Sequence, residues 1–513
     1  MATRTIANGG GSWATTGTWV EGIVPILGDA VVCTASSGQL TIGAAAACTS
    51  IDFTSYTNTL TLNATLTVSG NVTLVAAMTI TTSAGTPILS VNATGTLTSN
   101  TKAFPYTLDL RGTSQTYTLA DNWSVLNLTT NNAVTQSTIN GNILTVTQNL
   151  TTGPALGNTL GTTTVNLTGT GTWTYANYSG FGCSLIIAAG SGTITLSGST
   201  QIVFTGANFT YTSGTFNFVV GQVWEFLSNC TINSGSLVFT SSYVFFTGAY
   251  TFTLLSDFIC TNLTWAGNTV INGNNVRING NFLPVNNCHL TGTATFILQG
   301  TGTWGSTQNT SYQVHDVNII INTTGTITIA AANVDFGNAG TLTYTTAASV
   351  ITTGSTLRIG VWSAGTTTLN TNGITWANIS NLLNSTLNLT SNLTLSGTLT
   401  TTANLTFTGT GVFSTANLTC ITAGVTITLV AAQTYTVTGV LTLTGTSGSH
   451  VVIKSSVGGS RAILTMSNAV SSYVIYTNAT DIDSSAGSRV YDFTGTLSND
   501  LNWVGLPLKT IAY

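Results

Sequence analysis

The stretch that decides the fold is LTLNATLTVSGNVTLVAAMTI, which runs from Leu60 to Ile80. Four hydrophobic triplets begin at Leu60, Leu66, Val72 and Met78. In each triplet the two outer residues lie on one face of a β-strand and the central threonine lies on the other. The three residues between triplets are turn-prone, so each repeat is typical of a short strand followed by a corner.

The same spacing returns further along the chain, where the triplets LNL, LTL, LTT and LTF begin at Leu387, Leu393, Leu399 and Leu405. Such a unit cannot bury its apolar face alone and must stack on its neighbours. Helix signals are nearly absent, since no apolar period near 3.6 occurs. We therefore predict an all-β, elongated parallel β-solenoid (β-helix), in which aliphatic side chains line a narrow interior and threonine hydroxyls cover the outside. Asparagine side chains are expected to form amide ladders at the corners.

The composition is unusual because only 4% of the 513 residues are charged, against roughly a quarter in an ordinary soluble domain. The mean hydropathy is positive, at +0.36. However, Thr, Asn, Ser or Gly interrupts the apolar residues every two or three positions, so no run approaches the ~18 residues of a membrane-spanning helix. We expect no membrane insertion.

The charge pattern also limits the partners. The net charge is −4 and no basic patch occurs, so nucleic-acid binding is not expected. Between residues 122 and 480 the acidic residues are Glu225, Asp257, Asp316 and Asp335. Recognition must then depend on shape, hydrogen bonds and aromatic faces.

The cysteines are dispersed along the chain, at Cys33, Cys48, Cys183, Cys230, Cys260, Cys288 and Cys420. They contain no CxxC pair and no zinc-type cluster. No P-loop, dinucleotide, protease or nucleophile-elbow motif is present either. We expect no metal and no cofactor, and we interpret the cysteines as small apolar residues of the interior. A Cys33–Cys48 bridge is the one disulfide worth testing.

Three regions differ in composition. Residues 1–55 are rich in tryptophan and irregular in spacing, residues 56–440 form the repetitive Thr/Asn/Gly body, and residues 441–513 regain charge. Because the ends of a solenoid expose strand edges, they need caps. The predicted cap and attachment residues are Trp13, Trp19, Pro25, Asp29 and Trp503.

Both ends of the chain resemble a known family. Residues 13–31, WATTGTWVEGIVPILGDAV, resemble the start of large β-helical proteins of tailed bacteriophages and of some bacterial surface proteins. The segment from Gly445 through Asp481-Ile482-Asp483 to residues 499–503 (NDLNW) is similar to a C-terminal coil of such proteins, although that family usually has glycines within the last motif. The resemblance implies a virion fibre, spike or appendage that assembles as a homotrimer. It carries no catalytic residues to this chain.

These observations predict a non-enzymatic structural fibre or adhesin of a phage virion, which attaches the particle to the host surface through glycan or surface-polymer contacts. The expected partners are further copies of the chain, other virion proteins, and a host glycan or receptor. A trimer would bury apolar stripes that a single chain leaves exposed. The opening MATRTI lacks the apolar core of a signal peptide, so we expect synthesis in the host cytoplasm and display on the virion. The alternative is an extracellular surface.

Glycan contact requires aromatic platforms surrounded by amide and hydroxyl groups. Aromatic residues can equally stabilise the coils by packing in the interior, and both interpretations are open at each position. The candidates are Trp173, Tyr175, Trp224, Trp304 and Tyr312, followed by Tyr178, Trp265, Trp362 and Trp376.

Three other functions remain as alternatives. A tailspike-type depolymerase would need paired carboxylates, for which the candidates are Asp316 with Asp335, near His315 and Arg358, and Asp481 with Asp483. Such isolated charges also serve simply to keep loops soluble. A passive surface filament or decoration protein would need no site. An ice-binding solenoid would need Thr-x-Thr pairs in register over many coils, whereas the six-residue spacing holds only in short windows.

Overall fold

A computed structural model of the chain has an all-β fold. It is a parallel β-solenoid of about 19 turns, and the fold predicted from the triplets is therefore confirmed. One short 3-10 helix, Thr16–Thr18, is the only helical element in the part of the chain that the structure describes. The described part is 1–507 without 84, 86, 111, 113, 131–136, 154–158, 176–178, 199–200, 220, 241–242, 286, 306–312, 331, 338, 346–348, 353 and 468–471.

The chain divides into two compact units. Unit 1 contains residues 1–245 and 251–258, and unit 2 contains residues 246–250 and 259–513. The region boundaries predicted near residues 55 and 440, and the trimer, stay predictions.

Most strands of unit 1 have two to five residues, and they pair in parallel. They are Thr3–Thr5, Gly11–Ser12, Ala30–Val32, Leu40–Ile42, Ala46–Cys48, Ser50–Asp52, Thr59–Leu62, Leu66–Val68, Val72–Thr73, Thr79–Thr81, Ile88–Val91, Gly95–Thr98, Phe104–Leu110, Thr116–Leu119, Trp123–Thr130, Ser137–Gly141, Leu144–Val146, Leu150–Thr152, Thr159–Leu160, Thr164–Leu167, Gly171–Tyr175, Ser179–Phe181, Ser184–Gly198, Gln201–Phe204, Asn208–Asn217, Val223–Phe226, Cys230–Asn233, Val238–Phe239 and Thr251–Leu254.

Two strands, Tyr243–Thr247 and Phe258–Cys260, include residues of both units. The strands of unit 2 are Leu263–Ala266, Asn268–Gly273, Val276–Ile278, Phe282–Pro284, Cys288–Leu298, Gly302–Trp304, Gln313–Ile321, Thr326–Ile329, Asn333–Phe336, Thr341–Tyr344, Ser349–Ile351, Thr356–Ile359, Thr366–Asn370, Thr375–Trp376, Asn378–Asn381, Ser385–Leu389, Leu393–Thr401, Leu405–Gly409, Phe413–Cys420, Thr426–Leu429, Thr434–Val437, Leu441–Leu443, Val451–Ser455, Ala462–Met466, Ser472–Ile475, Thr477–Thr480, Ile482–Asp483, Val490–Phe493, Leu497–Ser498 and Trp503–Leu506.

Consecutive turns stack in register, like residue above like residue. In unit 1, Leu66 pairs with Leu89, Leu89 with Leu108, and Leu108 with Leu128. All four side chains are at most 3% exposed, because this column faces the interior. A turn therefore consists of several triplet units, and the aliphatic core is a set of continuous columns rather than one cluster.

The sequence triplets alternate as predicted. In the strand Leu66–Val68 the two outer side chains are buried, while Thr67 between them is half-buried. In unit 2, Leu387 and Leu389 are fully buried and Asn388 is half-buried. Aliphatic residues thus line the interior and threonine and asparagine lie on the outer side.

Asparagine ladders occur at the corners. In unit 2, the side-chain carbonyl of Asn384 accepts the backbone N–H of Asn404 at 3.0 Å, and that of Asn404 accepts the N–H of Thr426 at 2.8 Å. In unit 1, Asn127 accepts the N–H of Asn149 at 3.1 Å in the same way. At a corner, strand pairing leaves a backbone N–H of the next turn without an acceptor. Each asparagine side-chain carbonyl accepts a hydrogen bond from one such N–H.

Two of the predicted N-terminal cap residues, Trp13 and Trp19, contact each other. The rings of Trp13 and Trp19 meet edge to face at 5.0 Å, and the Trp19 indole N–H donates to the Trp13 carbonyl at 2.9 Å. Asp29 accepts a hydrogen bond from the Arg4 guanidinium at 2.9 Å, and Pro25 nearby in sequence is buried. Capping and attachment themselves stay predictions.

Trp503, predicted at the other end of the chain, is 7% exposed and donates to the Ser484 hydroxyl at 3.0 Å.

All seven cysteines are buried free thiols, which confirms that they are small apolar residues of the interior. Cys33 and Cys48 do not form a disulfide in this structure. Burial raises the pKa of Cys183, Cys230 and Cys288 to about 12. The thiolate is the reactive form, so the native fold protects these side chains.

Replacing a column leucine should destabilise unit 2 far more than replacing the adjacent outward threonine. Leu399 is fully buried and pairs with Ile379 and Leu418, so Leu399→Ala should cost about 2–5 kcal/mol. Thr400→Ala, one residue away on the outer side, should change the free energy of unfolding by less than about 0.5 kcal/mol. Guanidinium unfolding followed by circular dichroism measures both. Equal losses would contradict the assignment of inside and outside.

Candidate functional site

Four ionisable side chains of unit 2 lie on one group of paired strands. His289, Asp335 and Arg358 belong to one register column, in which His289 pairs with Val314, Val314 with Asp335, and Asp335 with Arg358. Asp316 lies two residues beyond Val314 on the same strand. In a chain with so few charges, this grouping makes the region the first candidate for a site.

Asp335 and Arg358 form a buried ion pair. The Arg358 Nε and Nη2 atoms donate to the two Asp335 carboxylate oxygens at 2.6 and 2.7 Å, and the Gln313 N–H donates to Asp335 at 3.0 Å. The Asp335 side chain has no exposed surface, and that of Arg358 is 16% exposed. A buried carboxylate requires such a partner. Because a sugar cannot reach Asp335, the geometry does not favour it as a catalytic partner of Asp316.

His315 lies inside the solenoid, within a group of aromatic rings. The centroids of Trp265, Trp304, Phe282 and Phe336 are 5.3 to 5.9 Å from its imidazole. Its Nδ1 donates to the Asp335 backbone oxygen at 2.9 Å, and no described residue hydrogen-bonds its Nε2. Burial lowers the pKa of His315 to about 4, so the imidazole is neutral at pH 7 and serves as packing.

A second ionisable pair, between His289 and Asp316, reaches the surface. His289 Nε2 lies 2.8 Å from Asp316 Oδ2, and the two side chains are 17% and 11% exposed. The ring of Trp362 lies over His289, with centroids 5.6 Å apart and planes tilted by 31°. We call His289, Asp316 and Trp362 the Trp362 patch.

Trp362 differs from every other tryptophan of the chain. It is 57% exposed, whereas the other nine are at most 7% exposed. It lies in a six-residue corner, 360–365, where the corresponding corners of the next two turns, 382–384 and 402–404, have three residues. The longer corner is the sequence signal that marks this position. The sequence did not reveal His289, because its contact with Trp362 crosses three strands.

Four of the predicted glycan-contact residues are interior packing residues. Trp173, Tyr175, Trp224 and Trp304 are at most 3% exposed. Trp173 packs edge to face on Trp224 at 6.1 Å, and Trp304 packs on His315. A ring that is enclosed on both faces cannot stack on a ligand, so these positions give no support to sugar binding. Trp265 and Trp376 are fully buried as well, and Tyr178 and Tyr312 lie outside the described residues.

Asp481 and Asp483 bind different partners. Asp481 accepts the Gly459 N–H at 2.9 Å, and Asp483 accepts the Ser485 N–H at 2.8 Å. A hydrogen bond from the Asn499 side chain holds the pKa of Asp481 below its usual range. Both carboxylates thus stabilise local turns.

The open surface also carries grooves lined by uncharged groups. One groove of about 360 Å³ is lined by Ala364, Gly365, Thr366, Asn384, Ser385, Thr386, Asn404 and Thr406. Thr366, Thr386 and Thr406 form one register column that continues to Thr428, where Lys454 interrupts the threonines. This is a short threonine array, and the ice-binding alternative stays a prediction.

The described residues contain no group of three or more His, Cys, Asp or Glu side chains arranged to hold a metal ion. Within the same residues no helix has the length and apolarity to cross a membrane. Comparison with known proteins finds no matching family model, curated protein or solved structure.

His315 should make the fold acid-sensitive. Its folded-state pKa is about 4, below its ordinary value of 6.5, so its contribution to stability is fully present above pH 6.5 and is lost as the pH falls towards 4. The loss is about 3 kcal/mol. His315→Phe should flatten this part of the pH profile of the unfolding midpoint relative to that of the unmodified protein.

The ionisation of Asp492 gives the opposite dependence of stability on pH. Burial raises its pKa to about 6, so its stabilising contribution is present below pH 4 and lost as the pH rises through 6. Because Asp492 is unchanged in His315→Phe, comparing this variant with the unmodified protein isolates His315 from this background. An unchanged slope in His315→Phe would contradict the assignment.

Removing one partner of the Asp335–Arg358 ion pair should destabilise the fold more than removing both. Arg358→Met leaves a buried carboxylate without its cation and should cost about 3–5 kcal/mol of stability. The double variant Asp335→Leu/Arg358→Met removes both charges and should recover most of the loss. Thermal unfolding of the two variants tests this. A double variant as unstable as the single one would show that the cost is not electrostatic.

Proposed function

We propose that this chain is a non-enzymatic structural fibre or adhesin of a phage virion, which attaches the particle to the host surface through glycans or other surface polymers. The resemblance of both chain ends to phage β-helical proteins supplies the virion setting. The outer surface of the solenoid supports the binding role.

The observation that carries this proposal is the chemistry of the outward columns. In unit 1 one column runs Thr129, Thr151, Thr174 and Ser197. In unit 2 another runs Ser380, Thr400, Thr419 and Thr442. Hydroxyl and amide groups repeated at the strand spacing of about 4.8 Å offer many weak hydrogen bonds to a polymer that carries hydroxyls itself. Such a surface suits multivalent contact.

A non-enzymatic role is supported by the state of the candidate carboxylates. Asp335 is enclosed by Arg358, and Asp481 is used to hold a turn. Glycoside hydrolysis needs two carboxyl groups that flank the same accessible bond. No observation favours that arrangement over binding.

The N-terminal region is the proposed attachment end. Val20, Ile23, Ile26 and Leu27 are 50 to 67% exposed. Exposed aliphatic groups this close together are typical of a protein interface. Docking to another virion protein would cover them, and homotrimer formation is proposed on the grounds of the resemblance.

The test compares binding with cleavage. The purified chain should bind to a subset of bacterial surface polysaccharides on a printed array and should release no reducing ends from them over hours. Immunogold labelling of particles should place it on an exposed appendage. Release of reducing sugar that is lost in Asp316→Asn would favour the depolymerase, and binding to no polysaccharide together with no labelling of particles would reject the proposal.

A further inference from the structure

We propose that the Trp362 patch is a binding subsite for an uncharged pyranose ring, in which Trp362 is the stacking platform and His289 and Asp316 are the hydrogen-bonding groups. This inference rests on the proposed function, because it locates one glycan contact on the outer surface. The proposed ligand is a single sugar class, and the proposed subsite consists of three residues.

The Trp362 side chain is available to a ligand because much of it is exposed to solvent. An indole buries a large apolar area when it is covered, and this chain encloses nine of its ten tryptophans. Trp362 keeps 57% of its surface in solvent although its ring is already placed over His289. One side of the ring is therefore fixed by the protein while an open surface remains. The apolar face of a pyranose, formed by its C–H groups, packs on such a surface.

The corner that carries Trp362 is fixed at both ends. The Val361 N–H donates to the Phe336 carbonyl at 3.4 Å, and the Gly365 carbonyl accepts the Thr386 N–H at 2.8 Å. Gly360 begins the corner at φ +64°, a conformation that strongly favours glycine. From there the ring reaches His289, three strand spacings or about 14 Å away along the register column. This corner is three residues longer than the corresponding corners of the next two turns. The added length allows the Trp362 ring to lie over the strand that carries His289.

The polar groups beside the ring are held in place. Asp316 lies against Gly337, where an added Cβ would come within 2.6 Å of Asp316 Oδ1. Its other oxygen, Oδ2, binds His289 Nε2 at 2.8 Å. Asp316 Oδ1 is buried, so a ligand hydroxyl would be contacted through the exposed remainder of the two side chains, 17% of His289 and 11% of Asp316. Preorganised polar groups beside an apolar platform are the usual composition of a small-molecule site.

The charge of the patch selects an uncharged ligand. Arg358, the nearest cation in the column, is already engaged by Asp335. A uronic acid or sialic acid would therefore meet the Asp316 carboxylate, and the repulsion between the two carboxylates would weaken binding. A protein receptor is the competing partner, and the experiment separates the two.

The experiment uses an array of neutral and uronic-acid-containing bacterial polysaccharides, with the unmodified protein and three variants. Trp362→Ala should lower binding to the neutral polysaccharides about tenfold, which corresponds to about 1.4 kcal/mol of lost stacking. Trp362→Phe should keep most of the binding. Tyr473→Ala is the matched control, because Tyr473 is 59% exposed but lies on a different sheet.

Tryptophan fluorescence gives an independent readout. Because the other nine indoles are buried, acrylamide quenching of the native protein reports mainly on Trp362, and the bound neutral polysaccharide should reduce that quenching. Trp362→Ala should remove the quenchable component and leave the circular dichroism spectrum unchanged, which shows that the variant is folded.

Each outcome has a defined meaning. Loss of binding in Trp362→Ala but not in Tyr473→Ala supports the subsite. Unchanged binding in Trp362→Ala, preferential binding of acidic polysaccharides, or loss in Tyr473→Ala overturns it and leaves the adhesin proposal standing. If the unmodified protein binds host cells but no polysaccharide on the array, a protein receptor is indicated and the subsite is rejected. If it binds neither, the adhesin proposal fails as well.

Discussion

The structure depends on the parallel pairing of each turn with the next in a fixed register. A single triplet has too little apolar area to be stable, and the aliphatic columns exist only because Leu66, Leu89, Leu108 and Leu128 lie at matching positions in successive turns. A register error of one residue would turn the leucines outward and the threonines inward. The corner asparagines act against such an error, because each amide binds the backbone of the adjacent turn.

The same constraint explains how the few charges are distributed. Strand residues of a narrow solenoid face either the interior or an outer column, so an ionisable group must be neutralised or paired unless it lies on the outside. His315 faces the interior and is neutral. Asp335 is enclosed and is paired with Arg358. His289 and Asp316 form a pair that reaches solvent, and they do so beside the exposed tryptophan.

Local periodicity predicted the fold because inward and outward positions alternate within each strand. The alternation involves adjacent residues, so it can be recognised in the sequence. The same reasoning could not assign the aromatic residues. Trp173 and Trp362 are each followed by polar residues in sequence, yet one is enclosed and the other exposed, because the difference depends on corner length and on neighbours about 20 residues away. His289 was missed for the same reason: its partner Trp362 is distant along the chain and close only after three turns have stacked. Of the site, the sequence supplied Asp316, Asp335, Arg358 and Trp362 as candidates, and the structure divided them into a buried pair and a surface patch.

The corner ladder at Asn384, Asn404 and Thr426 has a consequence for how such a chain changes length over evolution. Each turn presents to the next the same backbone groups that it receives from the previous one, so a duplicated or deleted segment is accommodated when it comprises a complete turn. Gains and losses of fractional turns would misalign every residue that follows. Proteins of this architecture should therefore gain or lose complete turns, and the six-residue corner at 360–365 shows that one corner can be longer while the strands on either side of it stay in register.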